Sequence, residues 1–211
     1  MIFEKALSSS RSEDYTRLSF LTKRSVMSVG FDNLLNAEEF AALPRPLDGS
    51  RQELVKGRIV IMPPPSYRHG RIQKNVLVEI DLFLQTHPLG TILGETGVHT
   101  EVAPDSIRGP DAAYWSKEKI PLGEDPIGYA YMPADLVVEI LSPSNYPAQM
   151  QEKIREYFTA GVKIVWIIDP THRQATIYRE PGKGTVLWEE EMLTAEEVLP
   201  EFACQVSRLF R

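Results

Sequence analysis

Two kinds of apolar pattern alternate along the chain and predict a mixture of helices and strands. From Ile72 to Leu84, apolar residues recur at helical spacing, which predicts an amphipathic helix over residues 67–86. The runs "LVVEIL" and "KIVWIID" are short and almost unbroken, which is typical of buried strands. Between these two runs, the pattern predicts a helix over about residues 149–160 that ends at Gly161.

The remaining segments extend this pattern to most of the chain. In chain order they predict a short helix in "NAEEFAALP", a hairpin in "QELVKGRIVIMPPP", strand-like pieces at 91–103 and 111–115, a loop or insertion at 116–133, an antiparallel pair in "QATIYR" and "TVLWEE", and a short closing helix in "TAEEVLP". Residues 1–30 show no clear period, so we interpret them as a poorly ordered or peripheral arm. Residues 31–211 are then a single α/β domain built around a mixed sheet.

Composition and charge narrow the class of protein. No apolar run approaches the ~20 residues that span a bilayer, and the first residues lack the apolar core of a secretory signal, so we expect a cytoplasmic protein without a membrane partner. The net charge of −6 counts against a protein that coats nucleic acid by bulk charge, although a local basic strip stays open. Cys204 is the single cysteine, which excludes an intramolecular disulfide and argues against a cysteine zinc site.

Three carboxylates stand in unfavourable surroundings on the predicted core strands. Glu139 interrupts the apolar run "LVVEIL", where an unpaired carboxylate is costly. Glu53 lies in the strand "ELV", and Asp111 follows a proline at the start of "DAAYW". Three such groups repel each other unless a cation joins them, and oxygen ligands of this kind suit Mg²⁺ or Mn²⁺.

Basic residues are predicted close to these carboxylates. Lys153, on the helix after the Glu139 strand, could pair with them, orient a water or stabilise phosphoryl charge. His69 shares the helical face of Ile72 and Val76, so we expect its side chain to point inward. A second face of the same helix carries a basic residue every three positions, at Arg68, Arg71 and Lys74. With Lys56 and Arg58 of the hairpin, these residues predict a strip that contacts phosphates.

Each of these residues also has a simpler structural explanation, and these alternatives stay open at this point. Without any metal, Glu139 could pair with Lys153 or an arginine, Asp111 could close an Asx turn, and Glu53 could pair across the hairpin with Arg58. Lys153 could be a solvated helix residue beside Glu152 and Glu156. His69 could be a structural histidine, and the basic strip could be a solvated face.

The order of these motifs resembles a known group of proteins. The order Glu53, Pro110-Asp111, Glu139, Lys153 resembles that of the PD-(D/E)XK nuclease superfamily. The stretches that surround these residues, in chain order, are "NAEEFAALP", "ELVKGRIVIMPPPSYRHGRI", "RGPDAAYW", "PADLVVEILSPS" and "EKIREYFTAGVKIVWIIDP". More narrowly, the chain resembles the Uma2 family, which is also called DUF820. The resemblance implies a restriction-endonuclease-like fold, with a central mixed sheet flanked by helices. It also implies hydrolysis of phosphodiester bonds with a divalent metal.

The resemblance assigns roles to individual residues. Asp111 matches the aspartate of the "PD" element and Glu139 matches the second acidic residue. The position two after Glu139 is Leu141, and the matching lysine is displaced to the following helix as Lys153. Glu53 matches the family's glutamate in the first hairpin, and would be a further metal ligand, direct or through water.

Two further points follow from the same resemblance. His69 matches the histidine after the proline-rich turn, whereas Gln149 stands where the family commonly has an aspartate. The leading hypothesis is a Mg²⁺- or Mn²⁺-dependent endonuclease acting on DNA, with a homodimer expected from the superfamily. The alternatives are an inactive nuclease-fold module that binds nucleic acid or a protein partner, and a metal-dependent hydrolase of another phosphate ester.

Overall fold

The computed structural model describes residues 34–130, 132–142 and 147–211. The predicted arm, residues 1–30, lies outside the described residues, so the proposed division at residue 30 stays a prediction. The described residues form the helices α1 (Ala37–Ala41), α2 (Tyr67–Thr86) and α3 (Pro147–Ala160) and a 3₁₀-helix (Val206–Phe210). Their strands are β1 (Arg51–Val55), β2 (Arg58–Met62), β3 (Gly90–Gly94), β4 (Val98–Glu101), β5 (Ser106–Arg108), β6 (Ala112–Ser116), β7 (Leu136–Ile140), β8 (Ile164–Asp169), β9 (Gln174–Glu180), β10 (Lys183–Leu187), β11 (Met192–Ala195) and β12 (Leu199–Gln205).

A six-stranded sheet with the order β10-β9-β8-β7-β6-β3 forms the centre of the fold. β7 and β8 run parallel and the other neighbours run antiparallel, so the sheet is mixed. One face packs against α2, where Ile72, Val76 and Ile80 join the core, and the other packs against α3 through Ile154 and Tyr157. The predicted α/β architecture, a central mixed sheet flanked by helices, is confirmed.

A second sheet, with the order β2-β1-β5-β4, carries the predicted hairpin. Lys56 and Gly57 have positive φ angles of 50° and 74°, as a two-residue hairpin turn requires, and Val55 pairs with Arg58 on either side. Across the hairpin, Glu53 pairs in register with Val60. The predicted hairpin is therefore correct.

The helix boundaries follow local capping signals that the sequence contains. Ser66 accepts a hydrogen bond from the backbone of His69 and starts α2 at the predicted residue. At the end of α3, Gly161 has a φ of +100°, and the amide of Val162 bonds the carbonyl of Tyr157. This Schellman cap confirms Gly161 as the residue that ends the helix.

The predicted closing helix in "TAEEVLP" is wrong. Ala195 ends β11 and Leu199 begins β12, and these two residues pair across a tight turn. Phe202 and Cys204 are buried on alternate positions of β12, so the period-two pattern that starts here outweighs the helical propensity of "TAEEV". The short terminal helix is instead the 3₁₀-helix that follows β12.

A buried aspartate fixes the start of β7. Asp135 accepts a hydrogen bond from the Ser116 amide at 3.0 Å, and its other oxygen lies 3.1 Å from Lys119 Nζ and 3.0 Å from Lys163 Nζ. Burial alone would raise the pKa of this carboxyl, but the Ser116 amide and the two lysines outweigh that effect and lower it. Asp135 therefore ties β7 to β6 and to the start of β8.

Replacing Asp135 with Asn should lower the free energy of unfolding at pH 7 by roughly 2–3 kcal/mol, because the two lysines lose their buried partner. The folded-state pKa lies below the ordinary value of 3.8, so the contribution is present at neutral pH and is lost as the pH falls below that value. Urea unfolding across this pH range should show the gap between the two proteins closing in acid. Asp125→Asn, at an exposed loop position, should leave stability unchanged at every pH.

Candidate active site

Asp111, the residue before β6, lies opposite Glu139 of β7 when the register of the two strands is continued. Ala112 pairs with Val138 in the antiparallel register of β6 and β7, and the same register continued by one residue sets Asp111 opposite Glu139. Residues directly opposite in such a pair have Cβ atoms about 5 Å apart. Asp111 also accepts a hydrogen bond from the Ile140 amide at 2.7 Å, which draws its carboxylate towards β7. Both residues are buried, so their charges interact with little screening.

The partner of Glu139 is a lysine on the helix that follows it. Lys153 Nζ lies 2.8 Å from Glu139 Oε1, and the Tyr157 hydroxyl donates to the same oxygen at 2.5 Å. Lys153 and Tyr157 are four residues apart on α3, so both side chains lie on one helix face. Burial raises the pKa of Glu139, and the charges of Asp111 and Glu53 raise it further. Together these effects outweigh Lys153, which lowers it.

Glu53 reaches the same lysine from the other sheet. Its Oε1 accepts from Lys153 Nζ at 2.9 Å and from the Gly109 amide at 3.0 Å, and its Oε2 accepts from Arg108 at 3.0 Å. Burial would raise the pKa of Glu53, but Lys153 and Arg108 outweigh it and lower the pKa. The alternative in which Glu53 pairs with Arg58 on the hairpin surface is wrong, because Glu53 is buried and Arg58 is exposed.

Arg108 and Glu156 extend this network beyond the residues that sequence reasoning selected. Arg108 binds Glu156 through two hydrogen bonds of 2.7 and 2.8 Å, in the bidentate geometry that arginine favours.

The alternative of a solvated Lys153 is also wrong, because its side chain is only 13% exposed. The sequence contains one indication that Glu156 and Tyr157 belong to the site. They follow Lys153 by three and four residues, which places them beside it on the helix.

Asp111 is held from the α2 side of the sheet. His69 is buried, as predicted, and its Nε2 lies 2.8 Å from Asp111 Oδ1. Arg51 approaches the same oxygen at 3.2 Å and also pairs with Glu95. Burial would raise the pKa of Asp111, but the hydrogen bond and charge of His69 outweigh it and lower the pKa.

The predicted basic strip lies on the surface. Arg68, Arg71 and Lys74 are exposed on α2, and Lys56 and Arg58 are exposed on the hairpin. Arg68 donates a hydrogen bond to the backbone carbonyl of Pro170, so its guanidinium is held near the end of β8. A contact between this strip and a phosphate backbone stays a prediction.

The donor chemistry of the site suits a divalent cation at Asp111 and Glu139. Around the site, four carboxylates stand against three permanent cations, namely Glu53, Asp111, Glu139 and Glu156 against Arg51, Arg108 and Lys153. The site is therefore short of positive charge. The described residues contain no group of three or more His, Cys, Asp or Glu side chains arranged around a common metal position. Of the three predicted ligands, Asp111 and Glu139 fit a shared cation better than Glu53. Glu53 contacts two permanent cations, Lys153 and Arg108, whereas Asp111 and Glu139 each contact one.

Comparison with known proteins identifies the family to which this chain belongs. The family model described as "Uma2: Putative restriction endonuclease" matches residues 37–207, so the chain belongs to the Uma2 family. Its structure is similar to the crystal structure of a protein from Anabaena variabilis that is described as "a putative nuclease belonging to DUF820". The TM-score is 0.70 at 21% identity, with 83% of this chain and 97% of that chain covered, which shows a shared fold.

No curated protein matches the chain. Among the residues that the structure describes, no helix is long and apolar enough to cross a membrane.

Replacing Arg108 with Met should lower the free energy of unfolding by about 3–5 kcal/mol, because Glu53 and Glu156 would stay buried without their shared cation. Arg179→Met is the matched control, since Arg179 pairs with Glu197 on the surface, and it should cost less than about 1 kcal/mol. Urea unfolding of the two variants makes the comparison. Equal, small losses would mean that the Arg108 cluster is not a stabilising network.

Proposed function

We propose that this protein is an endonuclease that hydrolyses DNA phosphodiester bonds with Mg²⁺ or Mn²⁺ bound by Asp111 and Glu139. The observation that carries the proposal is the opposed pair of buried carboxylates with an ammonium 2.8 Å from one of them. Membership of a family described as "Putative restriction endonuclease" supports the same chemistry, because restriction-endonuclease-like proteins generally use divalent metals. A cation held by two carboxylates would lower the pKa of a bound water and polarise the phosphate.

Lys153 is the catalytic cation in this proposal. Its ammonium has three donors, of which two are engaged by Glu53 and Glu139, so a third can meet a water or a phosphate oxygen. There it would orient the attacking water or stabilise the charge that develops on the phosphoryl oxygens. Opposing effects act on the pKa of Lys153: burial lowers it, but Glu139 and Glu53 outweigh burial and keep the amine charged.

Glu53 acts in this proposal as the anchor of Lys153 rather than as a metal ligand. Three donors already engage its two oxygens, and Arg108 is itself locked to Glu156. Because it contacts two permanent cations, Lys153 and Arg108, Glu53 would stay with the lysine if Glu139 held a metal. His69 holds Asp111 in orientation through its 2.8 Å contact.

The exposed cations supply contacts to the substrate. Arg68, Arg71 and Lys74 follow one face of α2, whose first turn also carries His69 beside Asp111. A strip of this kind would bind phosphates without reading bases, so no sequence preference follows from it. Cleavage of both strands would be served by a homodimer, in which each subunit contributes one such site.

A second candidate function is a nuclease-fold module that binds nucleic acid or a protein partner without cleaving it. Two observations favour it. The described residues hold no arrangement of three metal-binding side chains, and Gln149 replaces the aspartate that is common in the family. In this case Lys153 would be the structural counter-ion of Glu139 and Glu53.

Incubation with supercoiled and single-stranded DNA in Mg²⁺, Mn²⁺ or EDTA should show cleavage that depends on the metal. Glu139→Gln and Lys153→Met should each reduce the rate by about 100-fold or more, through loss of a ligand and of the catalytic cation respectively. Titration calorimetry with Mn²⁺ should show that Glu139→Gln loses metal binding and Lys153→Met keeps it.

Glu53→Gln separates the two roles considered for Glu53. As the anchor of Lys153, its loss should slow cleavage while the affinity for Mn²⁺ stays within about threefold, whereas loss of a ligand typically costs metal affinity as well. Circular dichroism and thermal melting check that each variant is folded. Wild-type protein that binds Mn²⁺ without cutting any DNA would favour the module.

A further inference from the structure

A histidine–aspartate pair lies on the turn that follows β8, at the same edge of the central sheet as Glu139. Ile167 pairs with Glu139 and Ile168 with Ile140 in the parallel register of β7 and β8. Asp169 comes two residues after Ile167, so it shares the sheet face of Glu139 on the neighbouring strand. From strand spacing and rise, the two residues are about 8 Å apart.

Asp169 fixes both the turn and the imidazole of His172. Its Oδ1 accepts from the amides of Thr171 at 2.8 Å and His172 at 3.3 Å, and its Oδ2 lies 2.7 Å from His172 Nδ1. The two amide bonds alone are sufficient to form this Asx-type turn. The alignment of the imidazole is therefore an additional feature. An exposed pair of this kind adds less than about 1 kcal/mol to stability, so the fold does not require it.

His172 is available to a ligand. Its side chain is 66% exposed, and Nδ1 is engaged by Asp169 while Nε2 makes no hydrogen bond with any residue that the structure describes. When both ring nitrogens carry protons, the carboxylate stabilises the imidazolium and Nε2 is a free donor.

The same turn also holds the Arg68 side chain. The guanidinium of Arg68 donates to the carbonyl of Pro170, which lies between Asp169 and His172 in the chain. Arg68 is next to His69, which contacts Asp111, so the turn lies at the rim of the candidate active site. Two side chains that can donate hydrogen bonds to an anion, Arg68 and His172, are thus attached to one four-residue turn.

We propose that the turn 169–172 and Arg68 form a phosphate-binding clamp for the nucleic-acid backbone. His172 and Arg68 donate hydrogen bonds to oxygens of a phosphate next to the one that is cleaved, and Asp169 positions the imidazole. The clamp rests on the proposed nuclease function for its substrate class, but its residues neither bind the metal nor take part in the chemistry. Phosphate contacts of this kind fix the register of a nucleic acid without reading its sequence.

The test measures binding of a fluorescein-labelled 30-base-pair DNA duplex by anisotropy in EDTA at pH 6.5, over a series of salt concentrations. His172→Gln and Arg68→Gln should each raise Kd about 5- to 10-fold and reduce the slope of log Kd against log salt by about one. Asp169→Asn should raise Kd by a smaller factor because His172 loses its alignment. His87→Gln is the matched control, since His87 is a partly exposed histidine at the end of α2 that, like His172, lies beside a carboxylate, that of Glu201.

The outcomes separate the clamp from the catalytic proposal. Unchanged Kd and salt slope in His172→Gln would overturn the clamp and leave the turn as a structural feature. A loss of cleavage rate in Mn²⁺ without a change in Kd would also overturn it, because His172 would then act in the chemistry. If the wild-type protein binds DNA through His172 but does not cleave it, the result would support the clamp and count against catalysis. Absence of any DNA binding would overturn the clamp, while Mn²⁺ binding by Asp111 and Glu139 would be judged separately by calorimetry.

Discussion

The site depends on one buried ammonium between two carboxylates. Lys153 contacts Glu53 and Glu139 at 2.9 and 2.8 Å, and each of these acids comes from a different sheet. Removing three charges from water is costly, and the attraction between them offsets that cost only when further hydrogen bonds complete the geometry. Arg108, the Gly109 amide and the Tyr157 hydroxyl provide these bonds. The charges are therefore held in fixed positions, which is what electrostatic catalysis needs.

The arrangement also explains why the pKa values of Glu53 and Glu139 shift in opposite directions. Glu53 is surrounded by donors and its pKa is lowered, whereas burial and the nearby acids raise the pKa of Glu139. Two glutamates that contact the same lysine are thus poised for different tasks. Glu53 stays with its cations, and Glu139 has reason to accept another positive charge. Asp111, opposite Glu139 on β6, is the neighbouring oxygen ligand that such a charge would meet.

Much of this fold can be predicted from the sequence, because its signals are local. The apolar period of α2, the caps at Ser66 and Gly161 and the turn residues of the first hairpin each act within a few residues. The closing segment was predicted wrongly because "TAEEV" favours a helix locally, while the buried positions of β12 are set by packing against the central sheet. There, tertiary contacts overrode propensity.

The candidate site was predictable only in part. Asp111, Glu139 and Lys153 could be selected because a charge inside an apolar strand or a family motif marks each of them. Arg108 and Glu156 lie inside the quoted stretches "RGPDAAYW" and "EKIREYFTAGVKIVWIIDP", but neither received a role, since an arginine at a strand end and a glutamate on a helix are ordinary on a surface. Their roles follow from the docking of β5 against α3, a contact between residues 48 apart in the chain. The spacing of a motif does not encode contacts of that range.

The first hairpin has a consequence for how this protein loses its site. β2 is an edge strand whose residues Arg58 to Ile61 are exposed, and β1 joins the rest of its sheet through one paired position, Leu54 with Ile107. β1 next to it supplies Glu53, so local opening of this hairpin would separate Glu53 from Lys153 while the six-stranded sheet stays folded. Such openings cost less free energy than global unfolding. Opening of the hairpin would therefore remove Glu53 from the candidate site without denaturing the protein.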